Sequence, residues 1–140
     1  MYHAQISDFE TVKEIFYLHK KWFPHIRTDY MKRMIAKKNL ILENDVVITY
    51  NFYKRKQKIG DIQAFKDDCI LHQIAAKGKG TASDVLQKFF KFVNRRVYLS
   101  VRSDNDIAKN FYLKNNMKLI GKTSWAKGTL PGDVYVYNEN

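Results

Sequence analysis

One cysteine, Cys69, stands in a chain of 140 residues, which excludes an internal disulfide and a cluster of thiolate metal ligands. It sits in an apolar, strand-like run, where a free thiol reads as a small core residue rather than a nucleophile. Long apolar runs are missing, and none approaches the roughly 20 residues of a membrane helix. The N-terminal stretch carries His3, Asp8 and Glu10 and has no n-region or h-region of a signal peptide, so a cytoplasmic protein without a membrane partner is expected. Repeats, low-complexity tracts and linkers are missing as well, which leaves one domain over residues 1–140. The four histidines, His3, His19, His25 and His72, lack the spacing of a zinc site, so no metal is expected. Acidic residues are in short supply: 14 against 25 basic ones give a formal charge of +11 and a pI near 9.7. That imbalance points to a polyanion among the partners. Net charge alone does not distinguish nucleic acid from a nucleotide cofactor or an acidic protein. The basic clusters Lys20-Lys21, Lys37-Lys38, Lys54-Arg55-Lys56 with Lys58, and Arg95-Arg96 are scattered rather than gathered in a tail.

What is present is enough apolar material for a core, 45% hydrophobic and 14% aromatic residues. Tyr2 to Ile6 reads as a short strand, and Ser7-Asp8-Phe9-Glu10 matches a capping box that starts a helix. Val12, Ile15, Phe16, His19, Trp22 and Phe23 continue one stripe until Pro24 stops it. After the turn Pro24-His25-Ile26-Arg27, Thr28 or Asp29 can cap a second helix with Met31, Met34 and Ile35 on one face. Leu40 to Leu42 and Val46 to Tyr53 flank the turn signal Glu43-Asn44-Asp45 and predict an antiparallel hairpin. Lys54 to Lys58 reads as a charged bend, Ile59 to Phe65 as a weak strand, and Cys69 to Ala75 as a strong one.

The run Lys77-Gly78-Lys79-Gly80-Thr81-Ala82 follows that strand and opens a helix with Ala82, Val85, Leu86, Phe89 and Val93 on one stripe. Glycines let the backbone approach a ligand closely, the lysines supply charge, and the unpaired amides of a helix start receive phosphate. With the strand Val97 to Val101 the pattern becomes βαβ, so the strands at 69–75 and 97–101 should lie parallel. Ser103 to Asn105 can cap a helix from Asp106 to Asn115 whose apolar side holds Ile107, Ala108, Phe111 and Tyr112. Lys118 to Ser124 and Val134 to Tyr137 complete the sheet.

The order β-α-α-β-β-β-α-β-α-β-β resembles the Gcn5-related N-acetyltransferase (GNAT) family over nearly the whole chain. Lys77-x-x-Gly80-x-Ala82 is similar to the family's cofactor loop Gln/Arg-x-x-Gly-x-Gly/Ala, with Lys in the first place. Asn105-x-x-Ala108-x-x-Phe111-Tyr112, closed by Asn116-Met117, is similar to its second motif, where Asn takes the left-handed position that Gly holds in the family. The resemblance implies an α/β (α+β) acyl-CoA N-acyltransferase fold, a mixed central sheet flanked by about four helices. It also implies direct transfer of an acetyl group from acetyl-CoA to an amine in a ternary complex. By the same resemblance the amides of Lys77, Gly78, Lys79, Gly80, Thr81 and Ala82 hold the pyrophosphate, and the strand edge at Ile74 and Ala75 pairs with the pantetheine arm. Asn105 and Ala108 belong to the cofactor side, and Tyr112 is the general acid, its alternative being a core aromatic.

His72 titrates in the range a general base needs, yet strand alternation puts it beside Ile70 and Ile74, where a satisfied, partly buried histidine is the competing reading. His25 and Arg27, in the interhelix turn, are candidates for substrate contact, with a plain turn as the alternative, and Asp133 and Tyr135 are further candidates. A second function remains open from the same sequence: a basic module of this fold that binds nucleic acid or modifies nucleobases or RNA. Monomer and homodimer are both compatible with the sequence.

Overall fold

A computed structural model describes residues 1–138. The chain packs as two compact units, Met1–Tyr50 with His72–Phe89, and Asn51–Leu71 with Phe90–Asn140. In the first unit two helices, α1 (Phe9–Leu18) and α2 (Thr28–Ala36), precede the hairpin β1 (Leu40–Glu43) and β2 (Val46–Phe52). The hairpin register runs from Leu40↔Thr49 to Glu43↔Val46. Its two-residue turn is Asn44-Asp45, both left-handed (φ 50° and 60°), which is the twist that matches two antiparallel strands. β5 (Cys69–Ala76) follows β2 in the strand order, and α3 (Ala82–Val93) leaves from its C-terminal end.

Val12, Ile15 and Phe16 of α1 pack with Met31, Met34 and Ile35 of α2 against Leu40, Val47 and Ala75. Strand alternation sends Tyr50 to the other face, where its ring meets Phe89 of α3 edge-on at 5.1 Å. The amphipathic stripes expected of both N-terminal helices are thus their buried faces.

The second unit contains β3 (Gln57–Ile59), β4 (Ile62–Ala64), β6 (Val97–Arg102), α4 (Asp106–Lys114), β7 (Lys118–Trp125) and β8 (Leu130–Tyr137). Its sheet order is β5-β6-β8-β7, with β8 antiparallel to both neighbours. β5 and β6 are parallel, as the βαβ pattern predicts, but the ladder covers only Cys69↔Val97 and Ile70↔Tyr98. Tyr98 and Val134 pack with Ile59 and Ala64 on one face. On the other, Phe90 stacks on Tyr137 at 3.9 Å and Tyr112 lies 5.9 Å from Tyr135.

Several local expectations change. Tyr2 to Ile6 is not a strand: a single bridge, His3↔Ile41, joins it to β1, and Ile6–Asp8 turns as a 3-10 helix. The turn is fastened by Asp8, whose carboxylate accepts the Gln5 N–H at 2.8 Å and the Tyr2 hydroxyl at 2.6 Å; Asp8, not Ser7, stands at the N-cap of α1, with its side chain turned back to the 3-10 turn rather than to the helix amides. α1 ends at Leu18, ahead of Pro24, where His19 leaves the helical conformation at the C-cap and its ring meets the Ala76 carbonyl at 2.7 Å. Residues 59–65 are half of a hairpin rather than one strand, because Gly60 at φ +58° reverses the chain between β3 and β4. Ile107 is 88% exposed and lies off the buried face of α4.

Candidate functional site

β5 follows β2 in the strand order, its ladder to β6 stops at Ile70, and the glycine loop extends from its C-terminal end. The loop is held at its two ends. The Lys77 N–H donates to the Asp45 carbonyl at 2.9 Å, and the Lys77 ammonium lies 3.1 Å from Glu14 of α1. At the far end the Thr81 hydroxyl donates to the Asn44 carbonyl at 3.3 Å, while the Thr81 carbonyl accepts the Val85 N–H as the first turn of α3 forms. The β1–β2 turn therefore serves as a platform for the loop. Between the anchors, Gly80 has φ +92° and faces open space, as does Gly78. A positive φ of this size is strained for any residue with a side chain, which is the physical reason for glycine at 80. The Lys77 amide is already engaged, which removes it from the set expected to hold phosphate.

The strand leading into the loop alternates cleanly. Cys69, Leu71 and Ala75 are buried, and burial pushes the Cys69 thiol up to about 12, in keeping with an inert core residue. On the opposite face Ile70 and Ile74 are half-buried and His72 is exposed. The His72 ring is nonetheless desolvated by its surroundings, which lowers its pKa. His25 and Arg27 are exposed in the turn between α1 and α2.

In the second unit Asn105 caps α4, its side-chain oxygen accepting the Ala108 N–H at 3.2 Å. Asn116, with φ 68°, takes the left-handed position at the far end of the motif. Tyr112 is buried, and desolvation, with Tyr135 nearby, raises its pKa well above the ordinary phenol value. No hydrogen bond from its hydroxyl is found among the described residues.

Asp133 and Tyr135 are both closed to solvent, at 1% exposure each. The Asp133 carboxylate accepts from Lys122 Nζ at 2.7 Å and Ser103 Oγ at 2.8 Å and lies 3.3 Å from Lys109 Nζ. The Lys122 hydrogen bond, helped by those from Ser103 and Lys109, outweighs burial and lowers its pKa.

The sequence reading missed several of these partners. His19 and Glu14 hold the start of the glycine loop from α1. Gln73 of β5 is gripped by Thr49, whose hydroxyl donates to its side-chain oxygen, and by the Tyr30 hydroxyl at 2.9 Å. No sequence signal could have joined residues so far apart in the chain. Among the described residues no group of acids, histidines or cysteines could hold a metal ion, and no helix is long and apolar enough to cross a membrane.

The sequence matches no protein-family model and no curated protein sequence. Solved structures do match. A GNAT-family acetyltransferase of Bacillus cereus superposes over 99% of this chain and 96% of its own, with a TM-score of 0.76 at 16% identity. This chain has the GNAT fold. Ard1 of Thermoplasma volcanium shares that fold with a TM-score of 0.74 at 15% identity, over 99% of this chain and 97% of its own. Arabidopsis thaliana NAA60 in complex with acetyl-CoA gives 0.74 at 13% identity, over 99% and 98%. Identities this low fix the GNAT fold as an architecture, and the chemistry has to be argued from the residues.

Proposed function

We propose that this protein is an N-acetyltransferase that moves the acetyl group of acetyl-CoA directly to an amine. The observation that carries this reading is the glycine loop at the end of β5, anchored at both ends and open between, at the start of a 12-residue helix in a GNAT fold. The residues fit the group. Amides of the 78–82 turn and the positive end of α3 suit a pyrophosphate, and Lys79 adds charge. The edge of β5 at Ile74 and Ala75 suits the amides of a pantetheine arm. Asn105 and Ala108, at the start of α4, are assigned to the cofactor side.

Acetyl-CoA supplies an activated acyl thioester and a thiolate leaving group. Tyr112 is assigned to hold a proton at its hydroxyl and give it to that thiolate, a role suited to a phenol kept protonated by burial. His72 is assigned to take the proton of the attacking ammonium. A lowered pKa keeps its imidazole neutral at physiological pH, so the acid limb of kcat/KM should lie below the ordinary histidine value of about 6.5. Loss of that limb in His72→Gln, with slow residual turnover, is the expected result. An unchanged pH profile would exclude His72 as the base. His25 and Arg27 are assigned to the acceptor side because they are exposed in the turn after α1.

Calorimetry of acetyl-CoA binding tests the reading, with ATP as a polyanion that lacks the pantetheine arm. Selective micromolar binding is expected, and Gly80→Asp should weaken it at least about tenfold, because the aspartate is strained at φ +92° and repels phosphate. Unchanged affinity in a folded Gly80→Asp protein would remove the loop from the site. Equal binding of ATP would remove the coenzyme.

A further inference from the structure

We propose that the second unit carries a binding surface for single-stranded nucleic acid, built by residues 51–58, 65–68 and 91–96. The first stretch holds Lys54, Arg55, Lys56 and Lys58 and no acid, and the last holds Lys91, Arg95 and Arg96 and no acid. Backbone hydrogen bonds bring the three together. The Tyr53 N–H donates to the Asp68 carbonyl at 2.9 Å, the Asp67 N–H to the Tyr53 carbonyl at 2.8 Å, and the Cys69 N–H to the Arg96 carbonyl at 2.8 Å. The Arg95 guanidinium lies over the Phe52 ring, 5.6 Å from its centroid. The middle stretch adds Lys66 and two acids: Asp67 is exposed, and Asp68 is buried, accepts the Phe65 N–H at 2.9 Å and pairs with Arg96, 3.8 Å from its Nε, which leaves the other cations of the three stretches in excess.

Three phenylalanines belong to the same segments and stand in solvent: Phe52 at 40% exposure, Phe65 at 48% and Phe92 at 46%. Exposed rings contribute little to a core, and their spacing among cations supplies both halves of single-strand recognition. Rings and guanidinium planes stack on bases, and the ammonium and guanidinium charges follow the phosphates. Along each stretch the ring is followed by cations within a few residues, Phe52 by Lys54 and Arg55, Phe65 by Lys66 and Phe92 by Arg95 and Arg96, an arrangement that suits successive bases better than hydrocarbon. The surface uses none of the residues assigned to acetyl-CoA, so it stands whether or not the acetyltransferase reading does.

Fluorescence anisotropy with a labelled oligouridine of about 12 nucleotides tests it. Binding should weaken linearly in log–log form with salt, by about 0.7 in slope for each phosphate contact. Phe52→Leu, which keeps an apolar side chain but removes the ring, should lower affinity about fivefold at an unchanged slope. Lys54→Gln combined with Arg55→Gln, both at exposed positions, should flatten the slope. Thermal melts confirm that each variant folds. Affinity and slope unaltered in both variants, absence of binding at low salt, equal or tighter binding of a DNA duplex, or tighter binding to phosphatidylserine vesicles would each overturn the proposal.

Discussion

Replacing Tyr112 by Phe is expected to lower kcat by about a hundredfold or more and to leave the fold and the KM for acetyl-CoA nearly unchanged. The substitution removes one oxygen. The ring keeps its packing beside Phe111 at 5.6 Å and Tyr135 at 5.9 Å. Because the hydroxyl makes no hydrogen bond to another described residue, its loss leaves no protein partner unsatisfied, and the melting temperature should move little. With its pKa raised by burial and by Tyr135 nearby, the phenol is protonated at physiological pH and does not compete as a base. The rate should consequently show no high-pH loss that disappears in Tyr112→Phe. The assay is release of coenzyme A thiol with an amine that supports turnover in the native protein. Full turnover in the variant would return Tyr112 to the role of a core aromatic, the other reading its sequence position allowed.

Residues within a few positions of one another made much of this legible. The Asn44-Asp45 turn, the stripes of α2 and α3, the first half of the α1 stripe and the alternation of β5 are all local patterns, and the structure has each where the pattern put it. The glycine loop was legible for the same reason, since strand, glycines and helix are consecutive. Two kinds of feature were not legible. One is competition among nearby polar groups: the Asp8 carboxylate binds the Gln5 N–H and the Tyr2 hydroxyl, so the chain turns as a 3-10 helix at Ile6–Asp8 and α1 starts after Asp8 instead of after Ser7. The other is pairing across the chain. Nothing in the spacing of His19 and Ala76, or of Tyr30, Thr49 and Gln73, tells that they meet. Asp133 illustrates the consequence. An acid near the C-terminal strand after Pro131-Gly132 reads as a candidate for substrate contact, and only the folded chain puts Lys122, Lys109 and Ser103 around it.

Asp133→Ala is expected to cost about 2 kcal/mol of stability, the scale of hydrogen bonds to a buried charge, and to drop the melting temperature by several degrees. The carboxylate ties three elements of the second unit together: β8, which carries it; β7 through Lys122; and the entry to α4 through Ser103 and Lys109. Lys109 also donates to the Ser103 carbonyl at 3.0 Å, so removing the acid leaves two ammonium groups repelling each other beside Ser103, two residues ahead of the α4 cap. The cost stays short of that of a fully buried pair because the Lys122 side chain is 68% exposed and can return to water. For the same reason Lys122→Ala should cost less than Asp133→Ala. The pH dependence has a definite sign. A carboxylate whose folded pKa lies below its unfolded value contributes its stability above about pH 4 and loses it as pH falls through the folded value. Denaturant melts between pH 7 and pH 3 should therefore converge for the native protein and Asp133→Ala as acid is added. A gap that stayed constant across that range would mean that Asp133 holds the unit by packing alone and that its charge is idle.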